Sequence, residues 1–598
     1  VRHYRIFLPP NYNRENKHYP VIYFLHGWGQ RYFGEGDYQY AAYDSGNDNN
    51  GDNIANYVAK HNVIVVKSDG YNRSPDEPYY PRPYNVGPVE TYRQFPVYFP
   101  ELIEYIDQHY RTIADRQHRA ISGLSMGGFM TFWISAKYPD LFTAAGSFCG
   151  SPEFFAGPKD FPAEYRHVDM FSNFGGVKLR LHFGDKDFIR QYHEETNSVW
   201  TQLMNNYQWK MFPAEHSTCG MGEMFDSLMS SFVHPLPVPS NWNHADVYPN
   251  FKVWGYTLTS NRNVPGFTVL ENVGRNGFRC TVREYMPDGK ILSNVKVWVL
   301  TDSIYKKNTA YQITDIDHAT GMASHYRLMS DAGGRLQMAF SGSCHDIGIS
   351  EHGKEPDIIL DTVTIVNAPW AVAGKDISLR LRLLNKGGLR ADNVKVSIAP
   401  MRGATTIING AALVGSILPE KSGQNETLLV IRTADTVKAC RLNVNITSGK
   451  YSWKTDFVVN LKPAADSNVE YMIADGKTFT VVAHGNDSAT LKLGEGNGDG
   501  VANAGETIEI LAKDGGKLYR TALTTSAGCF NPNGVHPRQS DYWGNFDNVG
   551  ASAKINPLVV AKDCTGTSPQ PVLFEYWKPT ENKRHVTKYG IANITVQQ

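Results

Sequence analysis

Along the first 236 residues, short apolar runs alternate with stretches in which apolar positions recur every three or four residues, the pattern of strands joined by helices. Tyr19-Pro-Val-Ile-Tyr-Phe-Leu25, Asn62-Val-Ile-Val-Val-Lys-Ser-Asp69, residues 142–148 and Lys178-Leu-Arg-Leu-His-Phe183 are apolar enough to be buried on both faces, as parallel strands are. Leu102, Ile103, Ile106 and Tyr110 predict a crossover helix, and further helices are expected near 194–205 and 221–232. Residues 1–10 read as an outer strand ended by a proline pair. This alternation predicts an α/β fold, a doubly wound and mostly parallel sheet with helices on both faces.

At 234 the pattern breaks. His234-Pro-Leu-Pro-Val-Pro-Ser240 sets three prolines in five residues, a stiff extended segment, and marks a linker over 237–249. Beyond it come short alternating strands between Gly, Asn and Asp turns, with little helix, which is the signature of β-sandwich modules. They are placed at 250–357, 358–463 and 464–598, after an α/β domain at 1–236. The 598 residues agree, being too many for one core and enough for about four domains.

Within the α/β domain the decisive stretch is Arg119-Ala-Ile-Ser-Gly123-Leu-Ser125-Met-Gly127-Gly128-Phe-Met-Thr-Phe-Trp133, in which an apolar run meets a glycine-flanked serine and passes at once into helical periodicity. It reads as strand, tight turn and helix. G-x-S-x-G in that context is a nucleophile elbow, with the serine hydroxyl forced out at the top of the sheet. The helix beyond offers unpaired N–H groups to an oxyanion, and His26-Gly27-Trp28-Gly29 leaves a central strand where it can add another. The candidate donors are the N–H groups of Trp28 and Met126.

A serine hydroxyl needs a base. In an α/β-hydrolase the chain order is serine, acid, histidine. His216 follows a strand-like segment and precedes the last helix of the domain, where that histidine belongs. Asp185 and Asp187 both follow the strand 178–183. Asp187 is preferred, because a G-x-x-D turn lets its carboxylate curl back towards His216, with Asp185 as the second choice. H-E-x-x-H, a phosphate-binding G-x-x-x-x-G-K-[ST] and a strand-to-helix G-x-G-x-x-G do not occur.

His26-Gly27-Trp28-Gly29, Gly123-Leu-Ser-Met-Gly-Gly128, Gly184-Asp-Lys-Asp187 and His216 together resemble the esterase D-like group of α/β-hydrolases. That group includes feruloyl and acetylxylan esterases of carbohydrate esterase family 1, S-formylglutathione hydrolases, siderophore esterases and mycolyltransferases. The resemblance covers about 1–236, and G-x-S-M-G-G is its most specific part. It implies Ser125 as nucleophile, His216 as base, Asp187 as acid, and Trp28 and Met126 as oxyanion hole. Ser217-Thr-Cys-Gly-Met-Gly-Glu223 lacks the Trp often found after the histidine in feruloyl esterases, a departure that bears on the subfamily and not on the triad. Residues 358–463, with Ala371-Val-Ala-Gly-Lys-Asp-Ile and Leu384-Asn-Lys-Gly-Gly, resemble the Ig-like CARDB modules of exported bacterial proteins.

Charge and composition narrow the partners. Lys plus Arg and Asp plus Glu are 59 each, so nothing calls for nucleic acid or an anionic membrane surface. No apolar run approaches the roughly 20 residues of a transmembrane helix. Aromatics reach 12%, and Trp28, Tyr32, Phe33, Tyr38, Tyr71, Tyr79 and Tyr80 fall on loops leaving the carboxyl ends of strands. Such a wall suits a hydroxycinnamoyl acid or the stacking face of a sugar, or else packs the loops on one another. The expectation is removal of feruloyl groups from plant cell-wall polysaccharide, feruloylated arabinoxylan or its oligosaccharides, by a secreted, periplasmic or surface-bound bacterial enzyme. Another ester (acetylxylan, a siderophore, an aromatic polyester), acyl transfer to an alcohol, and an inert surface binding protein stay open. The sequence begins at Val1, already strand-like, so export is argued from the modules and not from a leader peptide.

Catalysis is expected to need no cofactor. Asn497, Asp499, Asn503 and Glu506 set four oxygen-bearing side chains in a glycine-rich loop that either ligates a structural Ca²⁺ or forms a plain Asx-rich turn. The acidic, amide-rich loop 44–53 reads as a solvated turn. Seven cysteines, at 149, 219, 280, 344, 440, 529 and 564, divide two, two, one and two among the domains. That suits one disulfide in each of three domains, or buried free thiols.

Overall fold

The computed structural model describes residues 3–28, 30, 32, 52–70, 95–158, 160–465, 468–482, 487–526, 528–532, 557–564, 568–580 and 585–597. The N-terminal part is built on β1 (Tyr4–Phe7), β2 (Val21–Leu25), β3 (Ile64–Ser68), β4 (Arg119–Leu124), β5 (Ala144–Phe148), β6 (Glu153–Ala156), β7 (Ala163–Arg166), β8 (Lys178–Gly184) and β9 (Tyr207–Phe212). Its helices are α1 (Asp52–Val58), α2 (Phe95–His109), α3 (Met126–Lys137), α4 (Arg190–Leu203) and α5 (Met221–Val233). Seven strands form one sheet in the order β1-β3-β2-β4-β5-β8-β9. β1 runs antiparallel to β3 and every other neighbour is parallel. β2, β3, β4 and β5 are buried at every position, which is why they show no alternation of apolar and polar residues.

Helix α3 is buried along all of its residues. A helix resting on a sheet alone would keep a polar outer stripe, and Phe129, Met130, Phe132, Trp133 and Ile134 leave none. The sheet covers part of its surface. Phe154, Tyr165, His167 and Phe174 of the same domain pack on Phe129 and Phe132, and the end at Trp133 and Lys137 meets chain that follows the α/β domain, beginning with β10 (Trp242–Asp246), a strand inside the proline-marked stretch 237–249. Lys137 Nζ is 2.5 Å from Asp246 Oδ2, both buried. Asn173 donates to the carbonyls of Ala136 and Ala245 and accepts from the Ala245 N–H. Trp133 stacks on Tyr248, and Tyr165 meets Phe267.

β10 opens a six-stranded antiparallel sheet with β13 (Phe267–Gly274), β14 (Gly277–Arg283), β16 (Ala310–Asp317), β17 (Met322–Met329) and β19 (His345–Ser350). It shares an apolar core with a four-stranded sheet of β11 (Phe251–Val253), β12 (Tyr256–Ser260), β15 (Lys296–Leu300) and β18 (Gln337–Ser341). By contacts the chain divides into two compact units, Val1–Asn197 with Asn206–His352 and Ser198–Asn205 with Gly353–Gln598. The first sandwich therefore shares a unit with the parallel sheet.

The second unit is made of β-sheets. Between Ile358 and Lys462 two five-stranded sheets enclose a core that includes Leu379, Leu381, Leu383, Val396, Leu442 and Val444. The residues beyond pack about Ile508, Ile510, Phe574 and Ile594. Cys529 and Cys564 form a disulfide there, while Cys149, Cys219, Cys280, Cys344 and Cys440 are free thiols. Of the three pairings that the spacing allowed, one forms. No helix among the described residues is long and apolar enough to cross a membrane.

Candidate active site

Ser125 sits between β4 and α3 with φ 57° and ψ −114°, a left-handed conformation uncommon for any residue but glycine. Such strain, about 1–3 kcal/mol, persists where the surroundings fix it. They do: a Cβ at Gly123 would lie 2.6 Å from the carbonyl oxygens of Gly127 and Leu25, and one at Gly127 would lie 2.1 Å from Leu25 O. The turn therefore closes against β2 only with glycine on each side of the serine. Ser125 N donates to Phe148 O at 2.9 Å, and its own carbonyl accepts from Phe129 N and Ser151 N.

Three other loops leave the same ends of the parallel strands. After β2, His26 is fully buried, with Nδ1 2.8 Å from Gly27 O and Nε2 accepting the Gly70 N–H at 2.9 Å. Burial holds its pKa below the usual imidazole value, so the ring is neutral and pins the loop that presents Trp28. Gln30 Oε1 takes the Gly27 N–H at 2.6 Å. After β8, Asp187 Oδ1 lies 2.9 Å from His216 Nδ1 and also accepts the Ile189 N–H. Asp185 turns elsewhere and accepts from Ala214 N, in the loop after β9 that carries His216. The structure thus pairs Asp187, and not Asp185, with the histidine.

Burial alone would raise the Asp187 pKa, but the hydrogen bonds and charge of His193 and His216 outweigh it and bring the value well below the carboxylate range. Asp187 is therefore ionised at neutral pH. His216 Nε2, the atom that would take a serine proton, is buried and has no hydrogen-bond partner among the described residues. The loop of His216 is tied to the sheet at two points. Cys149 Sγ donates to Ser217 O at 3.3 Å, and His182 Nδ1 lies 3.0 Å from Cys219 O.

Two neighbours of the Asp187–His216 pair have no signature in the sequence. His193, on α4, places Nε2 3.5 Å from Asp187 Oδ2. Cys149 lies against Asp187 and His216, the three donor atoms being within 4.8 Å of one another. Burial, reinforced by Cys219 and Asp187, raises the Cys149 pKa, so it stays a thiol. Phe188, more than half exposed, packs over His216 at 4.5 Å between ring centroids. An aromatic beside a G-x-x-D turn was the available signal for it.

The other expected residues are placed as follows. Met126 is the buried first residue of α3, and Trp28 is exposed at the end of β2. Tyr32 stacks on His3 at 5.6 Å. Tyr38, Tyr71, Tyr79 and Tyr80 lie outside the described residues, as do Phe33 and most of the loop 44–53. Asn497, Asp499, Asn503 and Glu506 converge on one another in the last module, joined by hydrogen bonds.

A mostly parallel sheet, a strained serine between a central strand and a buried helix, and an Asp–His pair on two later strand ends give the N-terminal domain the arrangement of an α/β-hydrolase fold. Residues 1–214 match the Esterase family. An esterase of Mycobacterium tuberculosis is 30% identical over 178 residues, which is 29% of this chain and 33% of that protein. An endo-1,4-beta-xylanase/feruloyl esterase of Xylanibacter ruminicola is 29% identical over 161 residues, 26% of this chain and 20% of that one. The chain thus spans a third or less of the length of these relatives. Among solved structures, a ferulic acid esterase from Anaeromyces mucronatus is 23% identical, with 38% of this chain and 83% of that chain covered and a TM-score of 0.28.

Proposed function

We propose that this protein is a carboxylic-ester hydrolase acting through Ser125, His216 and Asp187. The observation that carries the reading is the conjunction of Ser125 at φ 57° on the elbow with the 2.9 Å Asp187–His216 pair on adjoining strand ends. Ser125 Oγ adds to the ester carbonyl and passes its proton to His216 Nε2. The oxyanion takes hydrogen bonds from the N–H groups of Trp28 and Met126. The intermediate collapses as His216 protonates the departing alkoxide, leaving an acyl-serine. Water then adds to the acyl carbon with His216 again as base, and the acid leaves with Ser125 regenerated. Asp187, ionised throughout, holds the imidazole tautomer and stabilises the imidazolium.

For the substrate we favour hydroxycinnamoyl, and in particular feruloyl, esters of plant polysaccharide. The exposed rings of Phe188 and Trp28 beside the triad support an aromatic acyl group. The relative named for both xylanase and feruloyl esterase activity supports it too. The Cys529–Cys564 disulfide supports an exported protein.

The test compares the full chain with Ser125→Ala on methyl ferulate, feruloylated arabinoxylan and p-nitrophenyl acetate. Ferulate release that depends on Ser125 is the expected result. Cleavage of p-nitrophenyl acetate alone would retain the triad and discard the feruloyl substrate. No Ser125-dependent cleavage of any of the three would remove the hydrolase reading.

A further inference from the structure

The N–H of Trp28 belongs to the same peptide group as the carbonyl of Gly27, and that carbonyl is held twice. His26 Nδ1 lies 2.8 Å from Gly27 O, and Gln30 N donates to the same oxygen at 3.2 Å. His26 Nε2 accepts the Gly70 N–H, so this neutral ring carries its proton on Nδ1 and donates it to Gly27 O. Among the described residues Met286–Pro287 is the one cis peptide, so the Gly27–Trp28 bond is trans. In a trans peptide C=O and N–H point in opposite directions. Two donors on the carbonyl therefore turn the Trp28 N–H away from His26 and from the Gln30 backbone.

The preceding peptide is held by a side chain. Gln30 Oε1 accepts the Gly27 N–H at 2.6 Å, so Gln30 closes the turn 27–30 with its backbone and with its amide together. Gly27 needs that outside support, because a residue without Cβ sets few local limits on its own φ and ψ. Its bareness also allows a close approach. A Cβ there would lie 2.9 Å from Gln30 Oε1 and 3.4 Å from Ser125 Cβ, so Gly27 sits against both the elbow serine and the Gln30 amide.

We propose that Gln30 is a positioning residue for the oxyanion hole, acting through Gly27 on the N–H of Trp28. The inference rests on the ester-hydrolase reading above. An oxyanion hole stabilises charge because its donors are aimed before the charge develops, and a donor that must first be ordered loses part of that effect. The hydrogen bonds from His26 and Gln30 N hold the peptide after Gly27, and the Gln30 amide holds the one before it. Without the amide, rotation about the Gly27 backbone is freed and the Trp28 N–H turns with it. The oxyanion forms only once Ser125 Oγ has added to the ester carbonyl, so the loss falls on the transition state and leaves binding of the ester nearly unchanged.

The test compares the full chain with Gln30→Met, which keeps the length of the side chain and removes its carbonyl, and with Ser125→Ala. Kinetics are measured on whichever of the three esters above the wild type cleaves fastest, and inhibition is measured with an aryl trifluoromethyl ketone, whose carbonyl carbon takes Ser125 Oγ and whose oxygen then occupies the hole as an oxyanion. In Gln30→Met, kcat should fall about 10–100-fold with KM changed less than about twofold, and the inhibition constant of the ketone should rise by a similar factor. Should Gln30→Met fail to fold by circular dichroism, Gln30→Ala decides in its place. A fall in kcat of less than about tenfold, a loss carried by KM instead, or unchanged inhibition by the ketone would each overturn the proposal and leave the ester-hydrolase reading standing. Failure of the wild type to cleave any of the three esters in a Ser125-dependent way would remove that reading, and the role of Gln30 with it.

Discussion

Oδ2 of Asp187, the carboxylate oxygen not taken by His216, lies 3.5 Å from Nε2 of His193, and both side chains are buried. The Asp187 carboxylate is thus held between two imidazoles, which keeps it ionised despite its burial. Asp187→Asn should lower kcat by about 10⁴ with little change in KM, because the amide favours the wrong imidazole tautomer. His193→Phe keeps the ring volume and should lower kcat by less. Steady-state kinetics on p-nitrophenyl acetate measure both.

The same carboxylate sets a pH dependence. Its folded pKa lies below the unfolded value near 3.9, so its contribution to stability is complete above that value and is lost as pH falls towards the folded one. The difference in melting temperature between wild type and Asp187→Asn should be constant above about pH 5 and shrink below about pH 4.

His167 titrates in a different window. It is packed among Phe129, Phe132 and Tyr165, and burial lowers its pKa to about 3. Between that value and the unfolded one near 6.5, the unfolded chain binds a proton that the folded chain does not. Stability present above about pH 6.5 is therefore lost as pH falls. His167→Phe should flatten the fall in melting temperature between pH 7 and pH 4, read by scanning calorimetry.

Lys137 at the end of the elbow helix and Asp246 on β10 are both buried and depend on each other. Asp246→Ala leaves the ammonium without its carboxylate and should cost about 3–5 kcal/mol in urea unfolding. Lys137→Met combined with Asp246→Leu removes both charges and should recover most of that loss.

Gly127→Ala would place a methyl 2.1 Å from the Leu25 carbonyl, so it should cost about 3 kcal/mol or more, or give no folded protein. Gly222→Ala is the control. Nothing lies within 4 Å of a Cβ there, and helical alanine should stabilise by up to about 1 kcal/mol.

The parallel strands and the elbow were legible because their signals are local: an apolar run for a strand buried on both faces, glycines where β4, α3 and β2 touch. The Asp187–His216 pairing was legible through chain order. What could not be read is contact between distant segments. His193 and Cys149 lie beside Asp187 only because β5, β8 and α4 meet there. Asp475 accepts the Gly500 N–H in the loop before β-strand Thr507–Asp514, and no spacing rule relates the two. Helix α4 starts at Arg190, ahead of the apolar periodicity, because Asp187 caps the turn before it through the Ile189 N–H. The hairpin of β6 and β7 is four residues a side and too short to show a period.

The burial of α3 under the first sandwich also constrains how such a gene can be rearranged. Prolines 235, 237 and 239 look like a seam for shuffling cassettes, yet a crossover there would strip Tyr248 from Trp133 and Asp246 from Lys137, and leave a buried ammonium without its carboxylate. Lineages that trade the α/β domain as a portable part would have to carry the first sandwich with it, and the break that spares these contacts falls after His352.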